Sequence, residues 1–218
     1  MSEVKRRAYS SEVRARGARE TRRRILVAAA RLFVEHGYAA TSVGDIAAAA
    51  GVTRRAIHLI FLSKRAILDE AIGNALGGDD APLKVPERAW FRETTDAPAA
   101  EIPVFFAKFT TALHVRSAAL LEVAEAAAAA DFEMAIRRER GHENRRADMR
   151  LIAEALAAKS EVEVEYATDM LYTLGSSSVY SLLVFQLGWP PARYAAWLTA
   201  ALPGVLGVGA NQGFTNGG

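Results

Sequence analysis

The chain has 218 residues, 51% of them hydrophobic, no Cys and a formal net charge of +2. That length suits a small domain joined to a medium one, with apolar side chains enough for a sizeable core. The absence of Cys excludes disulfides and thiolate metal sites, the charged first 24 residues lack the apolar stretch of a secretory signal, and no uncharged apolar run of about twenty residues stands out, so a cytoplasmic chain without a membrane span is expected.

The small net charge conceals an asymmetry. Residues 1–65 hold 14 Lys and Arg against 5 Asp and Glu, whereas residues 66–218 hold 13 against 20. A basic first third joined to an acidic remainder makes the first third the candidate for a polyanionic partner, of which DNA phosphate is the commonest.

In chain order, residues 1–20 read as a flexible basic arm (Lys5, Arg6, Arg7, Arg14, Arg16 and Arg19) with no apolar stripe to fold around. From Thr21 the pattern turns helical: Ile25, Leu26, Ala29, Leu32 and Phe33 share one helix face, and Gly37 follows where a left-handed cap is wanted. Ser42 and Asp45 have the spacing of a capping box and open a second helix, whose apolar face is Val43, Ile46, Ala47 and Ala50 and which Gly51 ends. Thr53 caps a third short helix from Arg54 to Phe61, and Ser63 a fourth that buries Ile67, Leu68 and Ala71 and runs to about Leu76.

Residues 77–100, with paired Gly and three Pro, read as an irregular linker in which Trp90 and Phe91 anchor to the body. Beyond Pro103 no strand pattern is visible. Phe105, Phe106, Phe109, Leu113, Leu120 and Leu121 recur at helical spacing, and Ala126–Ala130 has high helix propensity. Further helices are predicted from Asp131 through Leu156, over about 162–187 with a break at Gly175, and after Pro190. Residues 209–218 read as a disordered tail.

Thr41–Phe61 carries the chemistry. Two short helices meet at the tight turn Ala50-Gly51-Val52-Thr53. The N-terminus of the first offers free N–H groups and a positive dipole end to a phosphate. The second places Arg54 and Arg55 at its start, where a recognition helix meets base edges in the major groove. Arginine can donate a bidentate pair to guanine or bind phosphate, and Leu59 can touch a thymine methyl. Ile57, Ile60 and Phe61 hold this helix to the others.

Residues 21–71 resemble the DNA-binding domain of the TetR family of transcriptional regulators. The resemblance rests on Thr21-Arg22-Arg23-Arg24-Ile25-Leu26, Ala28-Ala29, Leu32-Phe33, Gly37-Tyr38, Thr41-Ser42-Val43, Asp45-Ile46-Ala47, Ala50-Gly51-Val52, Phe61 and Ser63-Lys64. The tail Gly188-Trp189-Pro190-Pro191 with Arg193-Tyr194 and Trp197-Leu198 is also similar to this family. It implies DNA contacts from Thr41, Ser42, Thr53, Arg54, Arg55, His58 and Lys64, with Lys64 in the place of a phosphate-contacting lysine. His58 stands where the family usually has Tyr, and Ile60 where His or Tyr is frequent, so the operator sequence is the feature these departures affect. Arg22, Arg23 and Arg24 read as a nonspecific electrostatic rim.

Elsewhere the residues favour structure over chemistry. His36, His114 and His142 have no i, i+4 partner and no Cys to join them, so no metal site is expected; His114 reads as a core histidine. No nucleophile elbow, dinucleotide loop or paired carboxylates stand out, so neither an enzyme nor a cofactor is expected. The aromatic residues Phe105, Phe106, Phe109, Tyr172 and Tyr180, with His114, either fill the core or line a small-molecule pocket. With no evident cluster of buried Arg or Lys there, an uncharged or weakly charged apolar effector is expected.

The sequence thus reads as an all-α protein: arm 1–20, helix-turn-helix domain with a linking helix 21–76, helical effector and dimerisation domain 77–208, tail 209–218. The expected function is a homodimeric repressor released from its double-stranded operator by a small-molecule effector. A nonspecific architectural DNA binder without effector is the alternative.

Overall fold

The structure, a computed structural model, describes residues 3–81 and 83–208, and side chains from residue 16 onward. Every regular element among these residues is helical.

Helix α1 (Glu3–Ala40) differs from the arm read over 1–20, because the backbone is already helical at Glu3. This stretch has no Pro and a single Gly, and straight-chain Arg, Lys and Glu with Ala are good helix formers without any apolar face to bury. At Gly37 (φ 81°, ψ 165°) the helix kinks through a conformation open essentially to glycine alone, so Gly37 is a bend inside the element where a left-handed cap was expected. The α1 residues assigned to the core are all buried: Ile25, Leu26, Ala29, Leu32 and Phe33.

Helices α2 (Val43–Ala50), α3 (Arg54–Ile60) and α4 (Lys64–Gly77) follow, each entered through the side-chain cap expected of it. The Ser42 hydroxyl accepts from the Asp45 N–H at 3.1 Å and the Asp45 carboxylate accepts from the Ser42 N–H at 3.0 Å. Thr53 and Ser63 each accept from an N–H three residues on, both at 3.1 Å. Gly51 ends α2 at φ 64°, ψ 40°, the left-handed turn that lets α3 fold back.

The stretch 77–100 is more ordered than an irregular linker. It holds a 3₁₀ turn (Val85–Glu87) and helix α5 (Ala89–Asp96). Eight residues between prolines are too few to show a periodicity; the helix persists because Phe91 is buried and Trp90 stacks on Phe109 at a ring separation of 4.9 Å. Arg88, itself buried, ties the preceding loop down through Asp79 (2.5 Å) and the carbonyls of Ala81 (3.0 Å) and Leu83 (3.2 Å).

Helix α6 (Ile102–Ala128) is the axis of the body. It is long and apolar enough to cross a bilayer by length and composition, although Lys108 and Arg116 interrupt its apolar run. Its apolarity has another cause: α1, α4, α5, α7, α9 and α10 all pack on it. Helix α7 (Phe132–Ala157) is capped by Asp131, whose carboxylate accepts from the N–H groups of Glu133 and Met134. The predicted 162–187 helix is broken into α8 (Val164–Leu174), α9 (Ser177–Ser181) and a π turn (Leu182–Gln186), with Gly175 at the break. A Cβ at Gly175 would lie 2.5 Å from the Phe106 ring, so only glycine lets α8 and α6 approach this closely. Helix α10 (Pro191–Leu206) closes the body and buries Tyr194, Leu198, Leu202 and Leu206; the tail read over 209–218 lies outside the described residues.

Two apolar cores result. One gathers α5–α10 around Phe106, Ile152, Leu156, Leu171 and Tyr194. The other gathers α1–α4 around Phe33, Ile46, Ile57 and Ile67, and it also takes in Leu120, Ala127, Ala128 and Met134 from α6 and α7. The helix-turn-helix head therefore shares its core with the body. Arg65 pairs with Asp131 (3.4 Å) and Glu133 (2.6 Å) across this seam, Arg137 pairs with Asp69, and Arg116 donates to the α4 carbonyls of Ala75 (3.0 Å) and Leu76 (3.3 Å).

Candidate nucleic-acid interface

Helix α3 buries Ile57 against the head core and turns Arg54, Arg55, His58 and Leu59 outward. Leu59 is 79% exposed, and Leu62, in the turn after α3, is 97% exposed. Leu59 on the helix and Leu62 in the following turn thus leave an unpacked apolar edge beside the two arginines. The Arg54 guanidinium lies over Gly44 at the start of α2, where a Cβ would collide with it. Arg54 thus crosses from α3 to the N-terminus of α2, beside Asp45, whose carboxyl is held below the usual carboxylate range chiefly by its hydrogen bonds to Ser42.

The seven residues singled out in the sequence divide into two groups. Ser42, Thr53, Arg54, Arg55 and His58 are exposed on one face of α2 and α3. Each of the two hydroxyls accepts a capping N–H and keeps its own proton to donate. Thr41 and Lys64 are instead turned to internal use. Thr41 is buried, with its hydroxyl within hydrogen-bond distance of the carbonyls of Leu32 (3.1 Å) and Gly37 (2.8 Å), so its side chain closes the kinked end of α1. The Lys64 ammonium donates to the carbonyls of Tyr38 (2.7 Å) and Thr41 (3.0 Å) and sits 4.2 Å from the centre of the Tyr38 ring. Burial pushes its pKa down. At a helix N-terminus a cation is disfavoured by the dipole, and Lys64 resolves this by reaching back to the carbonyl-rich end of α1.

Arg22 also departs from its reading as an electrostatic rim. It forms a bidentate ion pair with Glu70 and places its guanidinium 4.6 Å from the centre of the Phe61 ring, which fixes α1 to α4 and the end of α3. The sequence signal was available in retrospect, because Arg22 lies one turn before the buried Ile25 and Leu26. Arg23 and Arg24 remain exposed beside α2.

In the body, the six residues grouped as a pocket do not converge. Phe106, His114 and Tyr180 are core: His114 is 3% exposed, its Nε2 is 2.9 Å from the Gly175 carbonyl, and its ring lies 5.3 Å from that of Tyr180. Burial pushes the His114 pKa down to about 4, so the ring is neutral, donating from Nε2–H. Tyr172 lies on another side, where its hydroxyl meets His142 Nδ1 at 2.8 Å and its ring lies 4.3 Å from the Arg145 guanidinium. Phe105 and Phe109 alone face a hollow, a groove of about 340 Å³ shared with Trp90, Lys108 and Arg116. Cations stand at both places, Lys108 and Arg116 exposed and Arg145 half-buried, so neither place holds a fully buried Arg or Lys. Asp148, near Arg145, has its carboxyl pushed up to about 6 by burial.

Comparison with known proteins follows the same division. Residues 25–71 match the family described as bacterial regulatory proteins, tetR family. The HTH-type transcriptional regulator AcrR of Shigella flexneri is 51% identical over 53 residues, which is 24% of this chain and 25% of that protein; the match spans about a quarter of the curated relative's length. Solved structures extend the likeness in fold. A transcriptional regulator described as of the TerR/AcrR family from Aquifex aeolicus superposes with a TM-score of 0.64 at 18% identity, covering 85% of this chain and 99% of that one. The regulator FadR of Bacillus subtilis, solved in complex with stearoyl-CoA, superposes with a TM-score of 0.60 at 18% identity, covering 82% and 96%. The head, residues 25–71, is thus matched in sequence to the tetR family of bacterial regulatory proteins, and the head-plus-body arrangement is shared in fold with solved transcriptional regulators.

Proposed function

We propose that the protein binds a specific DNA operator as a homodimer, represses transcription there in the cytoplasm, and leaves the operator when a small molecule occupies the body. The observation that carries this is the exposed face of α3, with Arg54, Arg55, His58 and Leu59 projecting from a helix locked from behind by Ile57. Arginines at that end of the helix can each reach a guanine edge in the major groove. Ser42 and the capped N-terminus of α2 supply phosphate contacts that set the docking angle.

Two features support the assembly. The outer edge of α10 carries Ala192, Ala196, Ala200 and Gly204, all exposed and spaced every four residues, and nearby Leu182, Phe185 and Leu187 are also exposed. A self-complementary patch of this kind suits a two-fold interface, which would present two recognition helices to successive major grooves. That a solved relative in fold was captured with an acyl-CoA supports a ligand-responsive body.

The test is operator affinity by fluorescence anisotropy, first against DNA flanking the chain's own coding sequence and then against random DNA of equal length. The unmodified protein is expected to prefer its own flanking DNA. Arg54→Ala and Arg55→Ala should each cost about 1–3 kcal/mol if the arginine reads a base. Equal affinity for random DNA, or an unaffected double variant, overturns the assignment.

A further inference from the structure

The groove between the end of α4, α5 and α6 has a composition and a position that the core aromatic residues lack. Its wall is the Trp90–Phe109 stack extended by Phe105, and its cations are Lys108 and Arg116, with Glu93 the one acid on its lining. At about 340 Å³ it is at the small end of ligand sites. The local charge is positive: partial burial first and then the neighbouring Arg88 lower the Arg116 pKa, and Asp79 offsets only part of the Arg88 effect. Arg116 is solvent-exposed, so its guanidinium is reachable, yet two of its N–H groups are spent on the Ala75 and Leu76 carbonyls at the C-terminus of α4. Gly78 follows at φ 84°, and a Cβ there would press on the same guanidinium at 3.2 Å.

We propose that this groove binds a small amphipathic carboxylate, an aryl or alkyl tail with one anionic head, and that the head draws Arg116 away from the end of α4. The inference deepens the reading of an effector-released regulator and rests on it. The tail lies on aromatic faces and the carboxylate meets a guanidinium, for which it is a far stronger acceptor than a peptide carbonyl. Arg116 is a latch between the helix that carries the DNA-binding head and the central helix of the body. A ligand that binds only when the latch is open favours one head position over another, which is what coupling requires. Specificity for an anion over its neutral analogue follows, because a neutral head gives Arg116 no reason to leave α4.

The experiment uses the full chain with naphthoate and octanoate as carboxylate probes, and naphthylmethanol and octanol as neutral analogues. Binding is measured by calorimetry, and operator release by anisotropy, after operator binding of the ligand-free protein has been established. Carboxylates should bind and release DNA, and the alcohols should bind at least about tenfold more weakly. Lys108→Glu on the groove lining and Ala112→Trp, which fills the groove from an exposed position, should each abolish carboxylate binding, with thermal melting confirming that both variants are folded. Arg116→Met should bind the tail yet no longer couple it to DNA. If the protein binds its operator but no carboxylate binds, or if binding survives both groove variants, the groove assignment is overturned and the regulator reading stands. If the ligand-free protein shows no operator preference, the regulator reading itself falls.

Discussion

Lys64→Met isolates what Lys64 does. In the structure its ammonium makes two charge-assisted hydrogen bonds, to Tyr38 O at 2.7 Å and Thr41 O at 3.0 Å, and lies over the Tyr38 ring. Hydrogen bonds to a charged group contribute about 1.5–3 kcal/mol each, and the ring contact about 0.5–1 kcal/mol. Against this stand the desolvation that already lowers the Lys64 pKa and the access of water to the freed carbonyls. The net loss is then about 2–3 kcal/mol. For a chain of this size each kcal/mol moves the melting temperature by roughly 2–4 °C, so a fall of several degrees is expected at fixed protein concentration. Operator affinity should drop for every sequence alike, because the 38–41 segment that aims α2 is loosened. The slope of log affinity against log salt should stay the same, since no phosphate contact is removed. An unchanged melting temperature with a slope reduced by about one would instead make Lys64 a phosphate contact and refute the internal role.

Gly44→Ala should leave stability unchanged or raise it by about 0.5–1 kcal/mol, as alanine does inside helices, while weakening the operator complex several-fold because Arg54 must leave its place over α2; calorimetric melting and anisotropy read the two effects separately. Gly175→Ala should destabilise by about 1–3 kcal/mol through overpacking, since its Cβ would stand 2.5 Å from Phe106 and 2.9 Å from the Leu171 carbonyl; urea denaturation measures it. A pH series separates two buried groups. His114 has a folded pKa of about 4 against 6.5, so the unfolded chain takes up the proton first and stability falls as pH drops from 6.5 to 4. Asp148, at about 6 against 3.8, holds its proton longer when folded, so its contribution is lost as pH rises through that window. The two slopes oppose each other, and Asp148→Asn should therefore lose stability more steeply on acidification than the parent; equal slopes would contradict the assignment.

The head was legible in the sequence because its signals are local. The Ser42–Asp45 pair, Thr53, Ser63 and Gly51 each specify a helix end within four residues, and those ends fall where they were read. What the sequence hid depends on contacts across the chain. Arg22 reads as surface charge until Glu70, 48 residues on, is seen against it. Thr41 and Lys64 carry the right chemistry for phosphate, but only the kinked end of α1 shows that backbone carbonyls claim them first. Helix α5 is too short for its period to register. The aromatic residues of α6 are a case in which spacing cannot decide: Phe105 and Phe106 are adjacent in sequence, yet one faces the groove and the other fills the gap left by Gly175.

The shared core at the seam has a consequence for anyone who cuts and rejoins such proteins. A chimera split after α4 would graft the reading head onto a foreign sensor, and it would leave Ile67, Leu68 and Ala71 facing whatever replaces Leu120, Ala127, Ala128 and Met134. The head is not a detachable cartridge on a flexible cord. Its rear wall is built from another module's helices, and those four residues, with Arg65, Asp131 and Glu133, form a docking code that must travel with it. Transplanting the code with the head should recover a cooperative protein, whereas exchanging sensors without it should yield heads that melt early and aggregate through the uncovered wall.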